Sequence, residues 1–294
     1  MKNKLTAIML AAGAMLFVGN VQGGTINLAT LTSAYVAQDG DVLTGTLGDG
    51  LKLSVADGAT VTLNGVTING LDDNTVRWAG IDCLGDATII LAGGNDVTNN
   101  VAGQYAGAGI HVPPSKTLVI RGTGVLAVTG GRFAAGIGAG FNAPCGNIVI
   151  EGGVVIATGA YAGAGIGAGY SASADAEVIA TCGDITISNS TVIATGSYSA
   201  GIGGGYFSPC GDILIAGDSV TATGDSGGSG IGAGNNGACG DITVSACNVT
   251  ATGAYASGIG GGNNTAPCGD ITIFGGTIVA TGASGAGIGS GNGA

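Results

Sequence analysis

Basic residues are scarce in this sequence, and they stop early. Seven lysines and arginines face eighteen aspartates and glutamates, and none of the seven follows Arg132. Residues 1–23 read as a cleavable leader, and without them the balance is 5 − 18 = −13. Nucleic-acid binding rests on neutralising phosphates with basic side chains, so nucleic acid and acidic membrane surfaces are excluded as partners. Long apolar runs are missing too. The longest, Leu5 to Val18, has fourteen residues, short of the roughly 20 that span a bilayer. With Lys2 and Lys4 before it and Val21-Gln22-Gly23 after it, the run has the form of a signal peptide, which predicts an exported, soluble chain. No lipidation cysteine follows the leader and no sorting motif ends the chain, so nothing in the sequence argues for surface retention. Helix-forming runs are absent as well: glycine, valine, isoleucine and threonine dominate, and alanine sits beside glycine.

What is present is repetition. A short apolar alternation returns at Val61, Ile89, Leu118, Ile148, Ile185, Ile213, Ile242 and Ile271, in steps of 28, 29, 30, 37, 28, 29 and 29 residues. A period between twenty and fifty residues marks a solenoid, whose units are too small to bury their own apolar faces and must stack. Three extended pieces can be read per unit; in one copy they are Asp184–Ile187, Val192–Thr195 and Ala200–Gly203. Inward residues such as Ile185, Ile187, Val192, Ala194, Ala200 and Ile202 then line a shared core. The fold expected is all-β, a parallel β-helix of about eight three-strand coils with neighbours about 4.8 Å apart. Residues 24–57 lack the full repeat and read as an N-terminal cap with an incomplete first coil, and residues 58–294 as the repeat domain. The last coil stops at Ser290–Ala294 without a polar cap, which predicts either a truncated protein or end-to-end association through an open edge.

Stacking turns equivalent residues into columns, and several columns are chemically unusual. Trp78, Tyr105, Phe133, Tyr161, Tyr198 and Tyr255 precede the third strand, and Phe141, Tyr170 and Tyr206 follow it. Between them the outward positions are glycine, as in Gly136, Gly138, Gly165 and Gly167. A trough floored by glycine and walled by aromatics suits an extended sugar chain, because a pyranose offers an apolar face to a ring and hydroxyls to polar neighbours. The alternative is that the rings stack on one another to stiffen the corners.

Asp184, Asp212, Asp241 and Asp270 stand in file before the first strand, following Thr60, Thr88, Thr117 and Asn147. Such oxygens in an exported protein could hold calcium. They could equally accept backbone N–H groups at a turn, and that is the favoured reading. Cys145, Cys182, Cys210, Cys239 and Cys268 form another file, with Cys83 in a related place and Cys247 elsewhere. Axial spacing permits disulfides, but buried cysteine also stacks as a small apolar residue; a linear file does not offer tetrahedral zinc ligation. Thr129, Thr158, Thr195, Thr223, Thr252 and Thr281 form an outward file, a pattern that raises ice binding as a minor alternative. Asp82 and His111, in neighbouring early rungs, could orient a base, yet no nucleophile is visible beside them.

The repeats Cys-Gly-Asp-Ile-Thr-Ile, Ala-Thr-Gly and Ala-Gly-Ile-Gly-Gly-Gly resemble those of exported bacterial proteins with a right-handed parallel β-helix of the pectate-lyase-like kind. The stretch from about Asp41 to Gly140, with Val61-Thr62-Leu63-Asn64-Gly65-Val66-Thr67-Ile68 and Gly109-Ile110-His111-Val112-Pro113, is similar to a carbohydrate-binding family of that fold. The resemblance implies a binding module for plant-type or acidic polysaccharides. A lyase of this fold pairs calcium-binding aspartates with a nearby basic residue. Here the aspartate file begins at Asp184, while the last basic residue is Arg132. The leading expectation is therefore an exported, non-catalytic polysaccharide binder. A structural or adhesive repeat protein is the rival, and a degenerate polysaccharide lyase a weaker alternative.

Overall fold

A computed structural model describes residues 23–70, 78–99, 106–172, 181–217, 219–264 and 266–293. The chain forms a right-handed parallel β-helix. First-position and second-position strands share one 17-stranded sheet, joined where the single strand Ala59–Asn69 runs through both positions; the third position forms a 10-stranded sheet. Every pairing between these strands is parallel, and each unit lies on the next: Ile148 pairs with Ile185, Ile185 with Ile213, Ile213 with Ile242 and Ile242 with Ile271. The leader and Tyr105 lie outside the described residues. Among the described residues, no helix is long and apolar enough to cross a membrane.

Strand alternation places the core. In Ile185–Ser188 and Thr191–Gly196 the residues Ile185, Ile187, Val192 and Ala194 are buried to within about one per cent, and Ala200 and Ile202 complete the turn at zero exposure. β-branched side chains suit this half-buried pleat, and their stacking on the same column in adjacent turns is what each unit lacks when alone. Residues 24–57 contribute shorter turns: Thr25–Asn27 pairs with Val42–Thr46, and Tyr35–Ala37 with Leu53–Val55. Asp41 is buried there and accepts hydrogen bonds from the Tyr35 hydroxyl at 2.7 Å and from the Gly24 and Gln38 amides. Burial and that carboxylate push the Tyr35 hydroxyl up to about 12.

One register differs from the sequence reading. The structure pairs Ile120, not Leu118, with Ile89, and sets Leu118 opposite Ala87. A slip of two residues keeps the inward side chains inward, so alternation alone cannot detect it.

The third position also departs from expectation. From Ile110–His111 onward only two residues per turn, such as Ile137–Gly138 or Ile202–Gly203, are strand. Around them the chain bends into a tight arc, closed by a hydrogen bond from the amide two residues before the isoleucine to the carbonyl two residues after it. Ala135 donates to Ala139 at 2.9 Å, Ala164 to Ala168 at 3.0 Å and Ala200 to Gly204 at 3.0 Å. The glycines of these arcs are buried, so they do not form an open floor. A Cβ on Gly136 would lie 2.9 Å from the Thr158 amide nitrogen of the next second-position strand, and one on Gly167 would lie 2.1 Å from the Gly203 carbonyl oxygen. Glycine is there because backbone lies against backbone.

Candidate functional site

The arc decides where the aromatic residues meet. By pulling residues 135 and 139 together it brings Phe133, on the way in, beside Phe141, on the way out, with ring centroids 5.6 Å apart. The two expected walls of a trough are therefore one ridge. Phe133 also contacts Tyr170 at 5.0 Å and Tyr161 at 5.4 Å. The ridge continues through Tyr161–Tyr198 at 5.1 Å, Tyr170–Tyr206 at 5.5 Å and Tyr206–Phe207 at 4.7 Å. Pairing of the arcs (Ile137 with Ile166, Ile202, Ile231 and Ile259 in turn) shows that the incoming column is Phe133, Ala162, Tyr198, Gly227 and Tyr255. Tyr161 stands one residue before it, and Trp78 aligns with Gly107 by the pairing of Ile81 with Ile110. The outgoing residues Phe141, Tyr170 and Tyr206 keep register.

Aromatic rings along this edge, inside the stack and outside it, are not buried. Tyr161 is 50% exposed, Tyr198 37%, Tyr255 55% and Trp78 38%. Phe133 and Tyr198 sit in the left-handed region, at φ 68° and 57°, a conformation that costs a non-glycine residue about 1–2 kcal/mol and here swings each ring onto the edge. The Arg132 guanidinium lies 4.7 Å from the Phe133 centroid and 5.6 Å from that of Tyr161. A shallow cavity of about 410 Å³ opens among Arg132, Tyr161, Tyr170, Tyr198, Tyr206 and Asn235.

A second cavity, of about 240 Å³, lies toward the N-terminal end and is lined by Lys52, Trp78, Asp82, His111, Phe141 and Asn142. Pairing sets Asp82 opposite His111, at the arc position taken by glycine from Gly138 onward. His111 Nδ1 is 3.0 Å from Asp82 Oδ1, and Lys52 Nζ donates to Asp82 Oδ2 at 2.6 Å. Burial works against the charge on Asp82, but the His111 and Lys52 hydrogen bonds and charges outweigh it and hold the carboxyl below its ordinary range. An ionised carboxylate only accepts, so Nδ1 carries the proton and Nε2 is left for another partner. Cys83, the next residue, points into the core with its thiol pushed up to about 12 by burial and by Asp82, which removes it as a nucleophile. Lys52 was not legible from the repeat, because it lies in residues 24–57; the only available signal was its place one residue before Leu53, which pairs with Ile81.

The acidic file is a backbone ladder. Asn147 Oδ1 accepts the Asp184 amide at 2.9 Å, Asp184 Oδ1 the Asp212 amide at 2.9 Å, Asp212 Oδ1 the Asp241 amide at 2.8 Å and Asp241 Oδ1 the Asp270 amide at 2.8 Å. The turn reading accounts for these carboxylates, and among the described residues no cluster of three or more ligating side chains could hold a metal ion. Asp57 and Asp86, which the repeat alignment missed, make the same links to the amides of Asp86 and Thr117 at 2.9 and 2.8 Å. Lys116 reaches both carboxylates, at 3.2 and 3.4 Å. Its hydrogen bond and the Asp86 amide hold the Asp57 carboxyl below its ordinary range. For Asp212→Ala, which removes one acceptor, the melting temperature should fall by about 2–4 °C. Asp212→Asn should melt like the wild type, and a chelator should leave all three proteins unchanged. A chelator-induced drop in the wild type would return the file to calcium.

The threonine file is aligned as expected, from Thr129 through Thr158, Thr195, Thr223 and Thr252 to Thr281. Its neighbours two residues earlier, Ala127, Ile156, Ile193, Thr221, Thr250 and Val279, carry threonine in only two rungs, so the face is not the flat paired array that ice binding needs.

A family model described as a beta helix repeat matches residues 148–170, 185–206, 242–263 and 271–292. Each matched span runs from a first-position strand to the residue four beyond the central isoleucine of the arc. No curated protein and no solved structure matches this chain.

Proposed function

We propose that this β-helix repeat protein is an exported, non-catalytic polysaccharide binder whose sugar chain lies along the aromatic ridge. The observation that carries the reading is Phe141, which lines the cavity beside Trp78 and stacks on Tyr170 at 5.6 Å and 23°. It makes one path from the Trp78 cavity, where Asp82, His111, Lys52 and Asn142 offer hydrogen-bond partners for hydroxyls, to the Tyr161 and Tyr198 cavity. Half-exposed rings along such a path give flat apolar faces for successive pyranoses, and rings that served packing alone would be covered. Tyr255 stands apart from the other described rings and extends the edge without joining the stack.

Affinity electrophoresis over neutral and acidic glycans tests the reading. The wild type should be retarded by at least one glycan, and Tyr161→Ala with Tyr198→Ala should weaken that retardation about tenfold or more, since each stacked ring contributes about 0.5–1.5 kcal/mol. Equal retardation of the two proteins would remove the ridge from the function.

A second reading, a structural or adhesive element that associates end to end, is favoured by the last described turn. Ile271, Ile273, Ile278 and Ala280 are only partly covered and Ile288 is 46% exposed, whereas Ile242, Val244, Val249, Ala251 and Ile259 one rung earlier are buried. On this reading analytical ultracentrifugation at micromolar concentration shows a dimer that Ile273→Lys dissociates; a monomer at all concentrations excludes it.

A further inference from the structure

The cysteine file runs through the corner that precedes the first-position strands. Cys145, Cys182, Cys210 and Cys239 are buried and Cys268 partly so, and among the described residues all seven cysteines are present without a disulfide. The backbone ladder fixes their alignment: the Cys145 amide donates to the carbonyl of Thr181, the residue before Cys182, and the Cys182 amide to that of Pro209, the residue before Cys210. Adjacent rungs therefore stand at the strand spacing of about 4.8 Å, inside the Cα window for a disulfide.

Within this file one pair is distinguished. Cys145 and Cys182 have their sulfurs 2.7 Å apart, with Cys145 donating. Cys239, by contrast, is shared between Cys210 and Cys268. The Cys145–Cys182 pair also spans the longest sequence step of the repeat, 37 residues, where the other steps are 28 to 30.

We propose that Cys145 and Cys182 are an axial disulfide site, oxidised by exchange with a low-molecular-weight disulfide. One cysteine, as its thiolate, attacks the small disulfide and releases one small thiol. The second cysteine then displaces the other small thiol from the mixed disulfide. The protein loses two electrons and two protons, the small disulfide gains them, and one protein S–S bond replaces one small-molecule S–S bond. The neighbouring Cys145 thiol and burial hold the Cys182 proton strongly, so little thiolate is available in the closed corner and the exchange belongs to folding, before the turns close over it.

The full chain, refolded in a mixture of reduced and oxidised glutathione and alkylated, tests this. No lysine or arginine follows Arg132, so pepsin rather than trypsin must release the peptides. The expected result is a reducible peptide pair joining Cys145 to Cys182, with a melting temperature about 10 °C above that of the reduced protein. In Cys145→Ser with Cys182→Ser that reducible difference should disappear, while Cys210→Ser with Cys239→Ser should retain it. Recovery of Cys145 and Cys182 as alkylated thiols, or joined to other cysteines, overturns the proposal. Mapping on the wild type decides the matter even if the serine variants do not fold.

Discussion

Gly167→Ala should unfold the middle of the solenoid, with a loss of more than about 4 kcal/mol, from a change of one methyl group. Gly167 has φ +130°, which L side chains rarely adopt, and its added Cβ would lie 2.1 Å from the Gly203 carbonyl oxygen and 3.0 Å from the carbon that bears it. These are backbone atoms of the next arc, which is held in turn by Gly232, so no side chain can move aside. Gly65→Ala is the control. Gly65 also has positive φ, at +73°, but nothing stands within 4 Å of its Cβ direction, so only the conformational cost of about 1–2 kcal/mol applies. Urea denaturation followed by circular dichroism separates the two variants; equal midpoints would show that the arcs are not stacked backbone to backbone.

Ile187→Asn is the second large effect, and its size should depend on the rung. Ile187 occupies a column with Ile215, Val244 and Ile273 and is buried, with neighbours both below and above it. Replacing it loses about 2–3 kcal/mol of apolar burial and leaves an amide without partners, a further cost of about 1–3 kcal/mol. In a solenoid such damage breaks two interfaces when it falls inside and one when it falls in the last turn. Ile273→Asn, on the partly covered turn, should therefore cost less than half as much. Measured unfolding free energies that agree within error for the two variants would contradict a stability built from neighbour-to-neighbour contacts.

How far the molecule could be read from its sequence follows the chemistry of each feature. Alternation at Ile185, Ile187, Val192 and Ala194 specified both strand and inward face, because a period of two allows only one assignment of sides. The slip that sets Leu118 opposite Ala87 was hidden by that same period. Turn aspartates were legible from Asp184 onward, where each opens the same Gly-Asp corner. Asp57 and Asp86 escaped because they stand three residues before Thr60 and two before Thr88, outside the column in which Asp184 and its successors line up. The arc was illegible: a hydrogen bond from Ala135 forward to Ala139 leaves no trace in hydrophobic spacing, and the glycines it buries resemble exposed ones on paper. The expectation of a floored trough failed at that point, and the ridge replaced it. The dyad of Asp82 and His111 was visible as a pair in register, while Lys52 came from a part of the chain outside the repeat.

The ladder from Asn147 to Asp270 gives the protein a built-in direction of growth. The Gly-Asp corners at Asp184, Asp212 and Asp241 each receive a carboxylate or amide oxygen from the rung before and offer one to the rung after, so a copy of the unit from Cys210 to Ala238 arrives already equipped at both faces. A tandem duplication of that stretch would need no compensating change to be seated, whereas a unit lacking the aspartate would interrupt the seam for its successor. Lengthening by gene duplication is thus chemically easy along this corner, and the near-constant step of 28 or 29 residues over the last four units is the pattern such a history would leave.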